Sequence, residues 1–155
     1  MDSFVKRTKE ITSKVGVILP SEAKFKLMLK EQLGNNYKMI KSRWVYSPVD
    51  FLIFNKDNLK CIYIEQKRRN EKHNNKYKSI IVNHSKIVNC KRNYPNTLFV
   101  FEYDDVYKYI KYSDKIFDKF DGGTVLKQDV VFIPNDKITS GSIEDLSKFI
   151  KKIID

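Results

Sequence analysis

Two apolar segments joined by a polar turn constrain the fold of this chain more than any other feature. Residues 49–54 and 59–67 are rich in β-branched and aromatic side chains, and the polar residues 55–58 separate them. Asp57 and Asn58 tolerate the left-handed backbone conformation that tight hairpin turns require. The pattern therefore predicts a β-hairpin whose two-residue turn is Asp57-Asn58.

The predicted register brings charged groups together at the open end of this hairpin. Asp50 lies directly opposite Glu65, and Lys67 projects from the same face because side chains alternate with period two. Opposed like charges destabilise a sheet, whereas a divalent cation would turn the same pair into a binding site, since Mg²⁺ prefers carboxylate oxygens. A neighbouring lysine can assist an attacking water or stabilise charge on a phosphate. A one-residue slip would move Asp50 to the other face.

The net charge of +11 is distributed unevenly along the 155 residues. Segments 1–43 and 67–92 carry +6 and +8, whereas segments 44–66 and 93–155 carry −1 and −2. Clustered Lys and Arg side chains gain affinity for polyanions by releasing the counterions of the phosphates they bind. The distribution therefore favours a nucleic-acid-binding surface built from the segments that flank the hairpin.

Helical and strand patterns interleave along the rest of the chain. A helix is expected from its N-cap, Ser21, to Gly34, which ends it. Hydrophobic periodicity predicts the remaining elements: a short strand within 38–46, helices at Tyr77–Cys90 and Val106–Phe120, a turn at 121–123, strands at 97–103 and Val130–Ile133, and a final helix that opens with a capping-box pattern at Ser142. We therefore expect a single domain spanning residues 1–155, with an α/β fold in which helices flank a central mixed β-sheet.

The composition argues against several classes of protein. No run of about 18 apolar residues is present, and the first ten residues lack the apolar segment of a signal peptide. Cys61 and Cys90 have no CxxC spacing, which disfavours a zinc site or a disulfide framework. We therefore expect an intracellular protein that does not enter a membrane. Its many Lys, Asn and Ile residues are typical of AT-rich viral, phage or protist genomes; a viral protein would act in the cytoplasm or nucleus of its host.

The hairpin resembles the site of a known nuclease superfamily. Ser47-Pro48-Val49-Asp50, followed by Ile64-Glu65-Gln66-Lys67, is similar to the motif of the PD-(D/E)xK nucleases, which include Holliday-junction resolvases and many restriction endonucleases. In that superfamily an Asp begins the second core strand and a Glu-x-Lys ends the third. Here Val49 separates the proline from Asp50, a departure at a position where the superfamily varies. The resemblance implies a restriction-endonuclease-like core at residues 21–103 and a C-terminal extension at 104–155.

This resemblance also implies an activity and a set of site residues. It implies a metal-dependent endodeoxyribonuclease in which Asp50 and Glu65 bind Mg²⁺ or Mn²⁺ and Lys67 is the catalytic lysine. A third acidic residue would come from the first helix, with Glu22 preferred and Glu31 as the alternative. The substrate would be DNA, with RNA and a preference for particular DNA structures left open. A nuclease of this size that cuts both strands would act as a homodimer.

Basic residues around the hairpin are candidates for contacts with the nucleic-acid backbone. Such contacts position the substrate without reading its sequence. Lys86 stands out, because its helix follows the metal-binding strand and can direct the side chain at the site. The set comprises Arg43, Arg68, Arg69, Lys72 and Lys86. The alternative is a non-catalytic nucleic-acid-binding protein that retains the nuclease fold; against it stands the intact trio of Asp50, Glu65 and Lys67.

Overall fold

The fold combines nine strands, four α-helices and a short 3-10 helix (Asn135–Lys137) within the described part of the chain. The computed structural model describes residues 21–41, 49–69 and 78–155. The helices are α1 (Ser21–Leu33), α2 (His84–Arg92), α3 (Asp114–Phe117) and α4 (Ile143–Ile154). The strands are β1 (Tyr37–Lys41), β2 (Phe51–Asn55), β3 (Cys61–Arg68), β4 (Ser79–Asn83), β5 (Thr97–Glu102), β6 (Tyr107–Lys111), β7 (Gly122–Val125), β8 (Gln128–Pro134) and β9 (Thr139–Gly141).

The strands form two sheets. The larger has six strands in the order β1-β2-β3-β5-β6-β9, and the smaller has three in the order β4-β8-β7. Within the larger sheet β3 and β5 are parallel, whereas the other neighbouring strands are antiparallel. Parallel neighbours need a crossover connection, and here β4 and α2 supply it. The predicted fold class, a central mixed sheet flanked by helices, is confirmed.

Helices α1 and α4 cover one face of the six-stranded sheet. Apolar side chains from both helices are buried against alternate residues of β2 and β3, and each such burial contributes about 1.5–3 kcal/mol. The fully buried members of this cluster are Phe25, Leu29, Phe51, Ile53, Ile62, Ile64, Leu98, Val100, Leu146, Ile150 and Ile154. Because these residues occupy one face of each strand, the intervening residues are directed to the other face.

The hairpin of β2 and β3 forms in the predicted register. Phe51 pairs with Ile64, and the pairing continues residue by residue toward the loop. The loop is wider than predicted, since the Asn55 N–H donates to the Lys60 carbonyl at 2.9 Å and encloses four residues, 56–59. The predicted turn residues lie at the centre of that loop, so the extra width does not shift the strands.

The second sheet packs on the other face of the six-stranded sheet. Apolar residues of β4 and β8 share a buried cluster with residues of β5, β6 and the helices α2 and α3. Its most buried members are Phe99, Phe101, Cys90, Tyr112, Phe117 and Ile133. This arrangement places β4, and the start of α2 that follows it, beside the C-terminal half of β3.

Several predicted elements are wrong. The segment predicted as a helix at Tyr77–Cys90 contains strand β4 before α2 begins at His84, and Tyr77 lies outside the described residues. The helix predicted at Val106–Phe120 is strand β6 followed by the single turn of α3. The turn predicted at 121–123 belongs largely to β7. In the first two segments the short apolar runs fit both the helical period of 3.6 residues and the strand period of 2. Pairing with distant strands then makes them strands.

The ends of the two long helices follow their sequence signals. Gly34 has a φ of +89° and donates its N–H to the Lys30 carbonyl at 3.0 Å. Helix α1 therefore ends at a glycine in the left-handed conformation, as predicted. At α4 the predicted capping box is present, because Ser142 and Asp145 each bond the other's backbone N–H. None of the helices in the described ranges is both long and apolar enough to cross a membrane.

Candidate active site

Asp50 lies just before β2, at the point where the regular ladder with β3 ends. Its backbone N–H donates to the Ile64 carbonyl at 2.9 Å, and its Oδ2 accepts from the Gln66 backbone N–H at 2.6 Å. Burial raises the pKa of Asp50, the Gln66 bond partly opposes this rise, and the charge of Glu22 adds to it. The carboxylate is therefore fixed against β3 by a backbone bond to one of its oxygens.

Glu65 lies on β3 next to Asp50, on the face opposite to the buried Ile64. Its side chain is only 17% exposed, and its Oε1 lies 3.0 Å from Lys86 Nζ. Its Oε2 is buried and accepts no hydrogen bond from any described residue. Burial and then the charge of Asp50 raise the pKa of Glu65 to about 7, although Lys86 and Lys67 oppose the rise. A buried oxygen without a partner costs about 1–3 kcal/mol.

Two lysines approach this pair of carboxylates from different elements. Lys86 lies in the first turn of α2, which the β3–β4–α2 connection places over the end of β3. Lys67 lies two residues beyond Glu65 on the same face of β3, and its side chain is exposed. The structure therefore brings together Asp50, Glu65, Lys67 and Lys86. Lys86, expected as a phosphate contact, binds a carboxylate here.

The acidic residue predicted on the first helix lies close to the pair without joining it. Glu22, in the first turn of α1, forms an ion pair with Lys41 at the end of β1. It is near enough to raise the pKa of Asp50. Glu31 is exposed in the last turn of the same helix, about 13 Å further along the axis. Within the described ranges, no three His, Cys, Asp or Glu residues are grouped closely enough to hold a metal ion.

A cleft of about 450 Å³ opens beside Glu65 and Lys67. It lies between the two sheets, so its walls come from strands that are distant in sequence. The residues that line it are Glu65, Lys67 and Arg69 on β3 and its exit, Phe99 and Phe101 on β5, Ile81 to Asn83 on β4, Lys86 on α2, and Leu126 and Gln128 at the tip of the β7–β8 hairpin. Charged groups that could contact a phosphate thus share one concave site with apolar side chains.

The predicted nucleic-acid contacts fall into three groups. Arg69 lines the cleft, donates to the Ile81 carbonyl at 3.3 Å and lies 5.9 Å from the centre of the Phe101 ring. Arg68 projects from the opposite face of β3 and forms ion pairs with Asp104 and Glu102. Arg43 and Lys72 lie outside the described residues. Of the predicted set, Arg69 and Lys86 are therefore at the cleft and Arg68 is engaged elsewhere.

Two residues near the site were missed in the sequence. Lys41 pairs with Glu22 and opposes the raised pKa of Asp50. It is the last residue of β1, and its place in the basic segment 1–43 is the sequence signal that could have marked it. Leu126 lies at a hairpin tip about 60 residues from Glu65 in sequence. Its turn lacks the Asn-Gly or Gly signature of such hairpins, so no local pattern marks it.

Comparison with known proteins leaves this chain without an assigned family. No protein-family model matches it, and no curated protein sequence matches it. Among solved structures, a nuclease from a fusselovirus is similar, with 13% sequence identity and a TM-score of 0.49. The similarity covers 99% of this chain and 95% of that chain.

Proposed function

We propose that this protein is a metal-dependent nuclease of the PD-(D/E)xK type that hydrolyses phosphodiester bonds of DNA. The observation that carries the proposal is the pair of partly buried carboxylates, Asp50 and Glu65, with Lys86 paired to Glu65 and Lys67 exposed on the same face of β3. Burying two like charges together is unfavourable unless a cation or a proton compensates for them. A purely structural role would be served better by apolar residues at both positions.

The donor set fits a hard divalent cation. Asp50 has one oxygen outside its bond to Gln66, and Glu65 has a buried oxygen, Oε2, that lacks a partner among the described residues. Carboxylate oxygens are the ligands preferred by Mg²⁺, and Mn²⁺ accepts the same set. We propose Asp50 and Glu65 as the ligands, with Glu22 as a third that would first leave Lys41. When bound, the cation supplies a water of lowered pKa and stabilises phosphate charge.

The chain's own lysines have separate proposed roles. Lys67, exposed on the face of Glu65 and inside the cleft, is the residue we propose to orient the attacking water and to stabilise charge on the phosphate. Lys86 holds Glu65 in position and opposes the rise of its pKa, so it favours the ionised carboxylate. Arg69 contributes a further positive charge at the cleft rim, where it can bind a backbone phosphate.

The proposal is tested by incubating the purified protein with supercoiled plasmid, linear duplex, single-stranded DNA, four-way junctions and RNA. Each substrate is incubated with Mg²⁺, Mn²⁺ or EDTA, and products are resolved on denaturing gels. We expect cleavage of at least one DNA substrate with either metal and none in EDTA. Lys67→Ala is expected to lose activity while retaining its melting temperature. Cleavage that Lys67→Ala and Asp50→Asn leave unchanged would contradict the proposal.

A non-catalytic nucleic-acid-binding protein is the second candidate. The Lys86–Glu65 ion pair favours it, because the pair already compensates one carboxylate without a metal. Among the residues that the structure describes, no third acidic group completes the pair, which points the same way. This candidate predicts DNA binding that persists in EDTA, falls steeply with salt, and is accompanied by no cleavage under any metal condition.

A further inference from the structure

The β7–β8 hairpin carries an exposed leucine in an unfavourable backbone conformation. Val125 pairs with Gln128, so the loop between the strands contains only Leu126 and Lys127. Both have positive φ values, 49° and 65°. Asn and Gly are the usual residues at such positions, because a β-carbon crowds the backbone there. Folding alone therefore does not account for a leucine at this position.

The leucine is also almost fully exposed. Leu126 is 93% exposed, the largest value among the exposed large hydrophobic residues of the described ranges. It nevertheless lines the same cleft as Glu65 and Lys67, and Ile81 lies in that cleft with 38% of its own surface exposed. An apolar tip therefore lines the cleft of the candidate active site, and no residue of the ranges 21–41, 49–69 and 78–155 covers it.

The charge around this tip indicates what can cover it. Lys127 follows Leu126 directly, and Lys67, Arg69 and Lys86 line the cleft behind it. A second copy of this basic chain would be repelled by the same charges. DNA presents both complementary features, a chain of phosphates and the apolar faces of its bases. Leucine is among the side chains that enter between base steps and partly unstack them.

We propose that Leu126 is a wedge residue that contacts an unstacked base next to the scissile phosphate. It makes DNA with a gap, bulge or branch at the cleavage site a better substrate than intact duplex. This inference rests on the proposed nuclease function and deepens it. An intact duplex must be unstacked before the leucine can make this contact, whereas a disrupted step already has an accessible base face.

The test uses two DNAs of one sequence, one fully paired and one gapped, each with 2-aminopurine at the expected step. Binding affinity and fluorescence are measured in EDTA, and cleavage is measured with Mg²⁺.

Leu126→Asn keeps a residue that tolerates the left-handed turn but removes the apolar tip, and Leu126→Met keeps the tip apolar. The matched control is Leu59→Asn, since Leu59 also has a positive φ, 61°, and is 70% exposed. It lies on the β2–β3 loop, about 20 Å along β3 from Glu65.

We expect the wild type to bind gapped DNA more tightly and to raise 2-aminopurine fluorescence. Leu126→Asn should reduce the gapped-to-paired affinity ratio by about tenfold and suppress the fluorescence rise, whereas Leu126→Met and Leu59→Asn retain both. Thermal melting of each variant verifies folding. An affinity ratio in Leu126→Asn within twofold of wild type overturns the inference.

Two further results separate this inference from the proposed function. If wild type cleaves no DNA in Mg²⁺ but Leu126→Asn still removes the gapped-DNA preference in EDTA, the nuclease proposal fails and the base contact stands. If sedimentation shows that Leu126→Asn converts a dimer to a monomer and leaves the affinity ratio intact, the hairpin is a self-association surface and the inference is wrong.

Discussion

The two faces of strand β3 have opposite chemistry. On one face Ile62 and Ile64 are fully buried beneath α1 and α4. On the other face the Glu65 side chain is 17% exposed and has an oxygen without a partner among the described residues, and Lys67 is exposed at the cleft. The first face provides stability through apolar burial, whereas the second places a group where its burial is costly. A single strand thus supplies one apolar face to the core and one charged face to the cleft, and each face can be altered separately.

The largest expected effect is on catalysis, at the reactive end of the hairpin. Asp50→Asn keeps an oxygen that can accept from the Gln66 N–H but loses the negative charge, so the fold is retained. We expect the cleavage rate to fall by about a thousandfold, or about 4 kcal/mol of transition-state stabilisation. The measurement is initial cleavage rate, with unfolding by urea as the parallel control. A large loss of stability would mean that Asp50 serves the fold instead.

Substitutions on the buried face of β3 should lower the stability of the protein, whereas those at the cleft should lower the cleavage rate. Ile64→Ala removes a fully buried side chain from the core, and we expect it to lower the unfolding free energy by about 2–5 kcal/mol. Lys67→Ala, three positions along the same strand and on the other face, should change stability by less than about 0.5 kcal/mol. Urea denaturation of both variants measures the contrast. Equal stability losses would contradict the division of roles between the two faces.

Glu65 gives a pH-dependent prediction. Its pKa in the folded protein, about 7, exceeds its ordinary value of 4.5. Folding therefore favours the protonated form, and the unfolding free energy falls as pH rises from about 4.5 to about 7. In metal-free buffer Glu65→Gln removes this penalty. Above pH 7 the unfolding free energy of the variant should therefore exceed that of wild type by up to about 3 kcal/mol. Below pH 4.5 the two proteins should be similar in stability.

The matched variant for this pH prediction is Asp145→Asn, on the far side of the molecule. Its carboxylate accepts from Ser142 in the capping box, which lowers the pKa of Asp145. That variant should be less stable than wild type at neutral pH. If Glu65→Gln is likewise less stable than wild type above pH 7, then burial of the charged Glu65 carboxylate does not destabilise the fold, and the prediction fails.

The smallest expected effect concerns Lys86. This lysine lowers the pKa of Glu65, so Lys86→Met should shift that pKa upward. The acidic limb of the pH–rate profile, which follows ionisation of the essential carboxylate, should then move to higher pH. At high pH the rate should approach that of wild type. A uniform loss of rate at all pH values would instead assign Lys86 to substrate binding.

The sequence identified the local parts of the site well. The hairpin register follows from alternating apolar residues and central Asp and Asn residues, and it placed Asp50 near Glu65. It also directed Lys86 at the site, but it predicted a phosphate contact and not the ion pair with Glu65, because that pairing depends on a crossover connection and on strand β4. That strand was predicted as helix, since Ile80, Ile81 and His84 fit a helical stripe, whereas Ile80 and Val82 fit the alternation of a strand.

The cleft is a second feature that local sequence patterns could not predict, because its walls come from segments distant in sequence. Its apolar wall at Leu126 depends on the pairing of β8 with β4, strands separated by more than 40 residues. Such pairings are set by tertiary packing, and local propensity does not reveal them. Residues 104–155, for which the nuclease resemblance implied no site residues, thus contribute part of the candidate site.

The central claim is that Asp50 and Glu65 together bind a catalytic divalent cation. The most direct measurement is a calorimetric titration of Mn²⁺ into metal-free wild type, Asp50→Asn and Glu65→Gln, with plasmid cleavage assayed in the same samples. The account predicts saturable binding by wild type, weakened at least tenfold in each variant, with cleavage lost in parallel. Equal Mn²⁺ affinity in all three proteins, or cleavage unchanged in both variants, would contradict it.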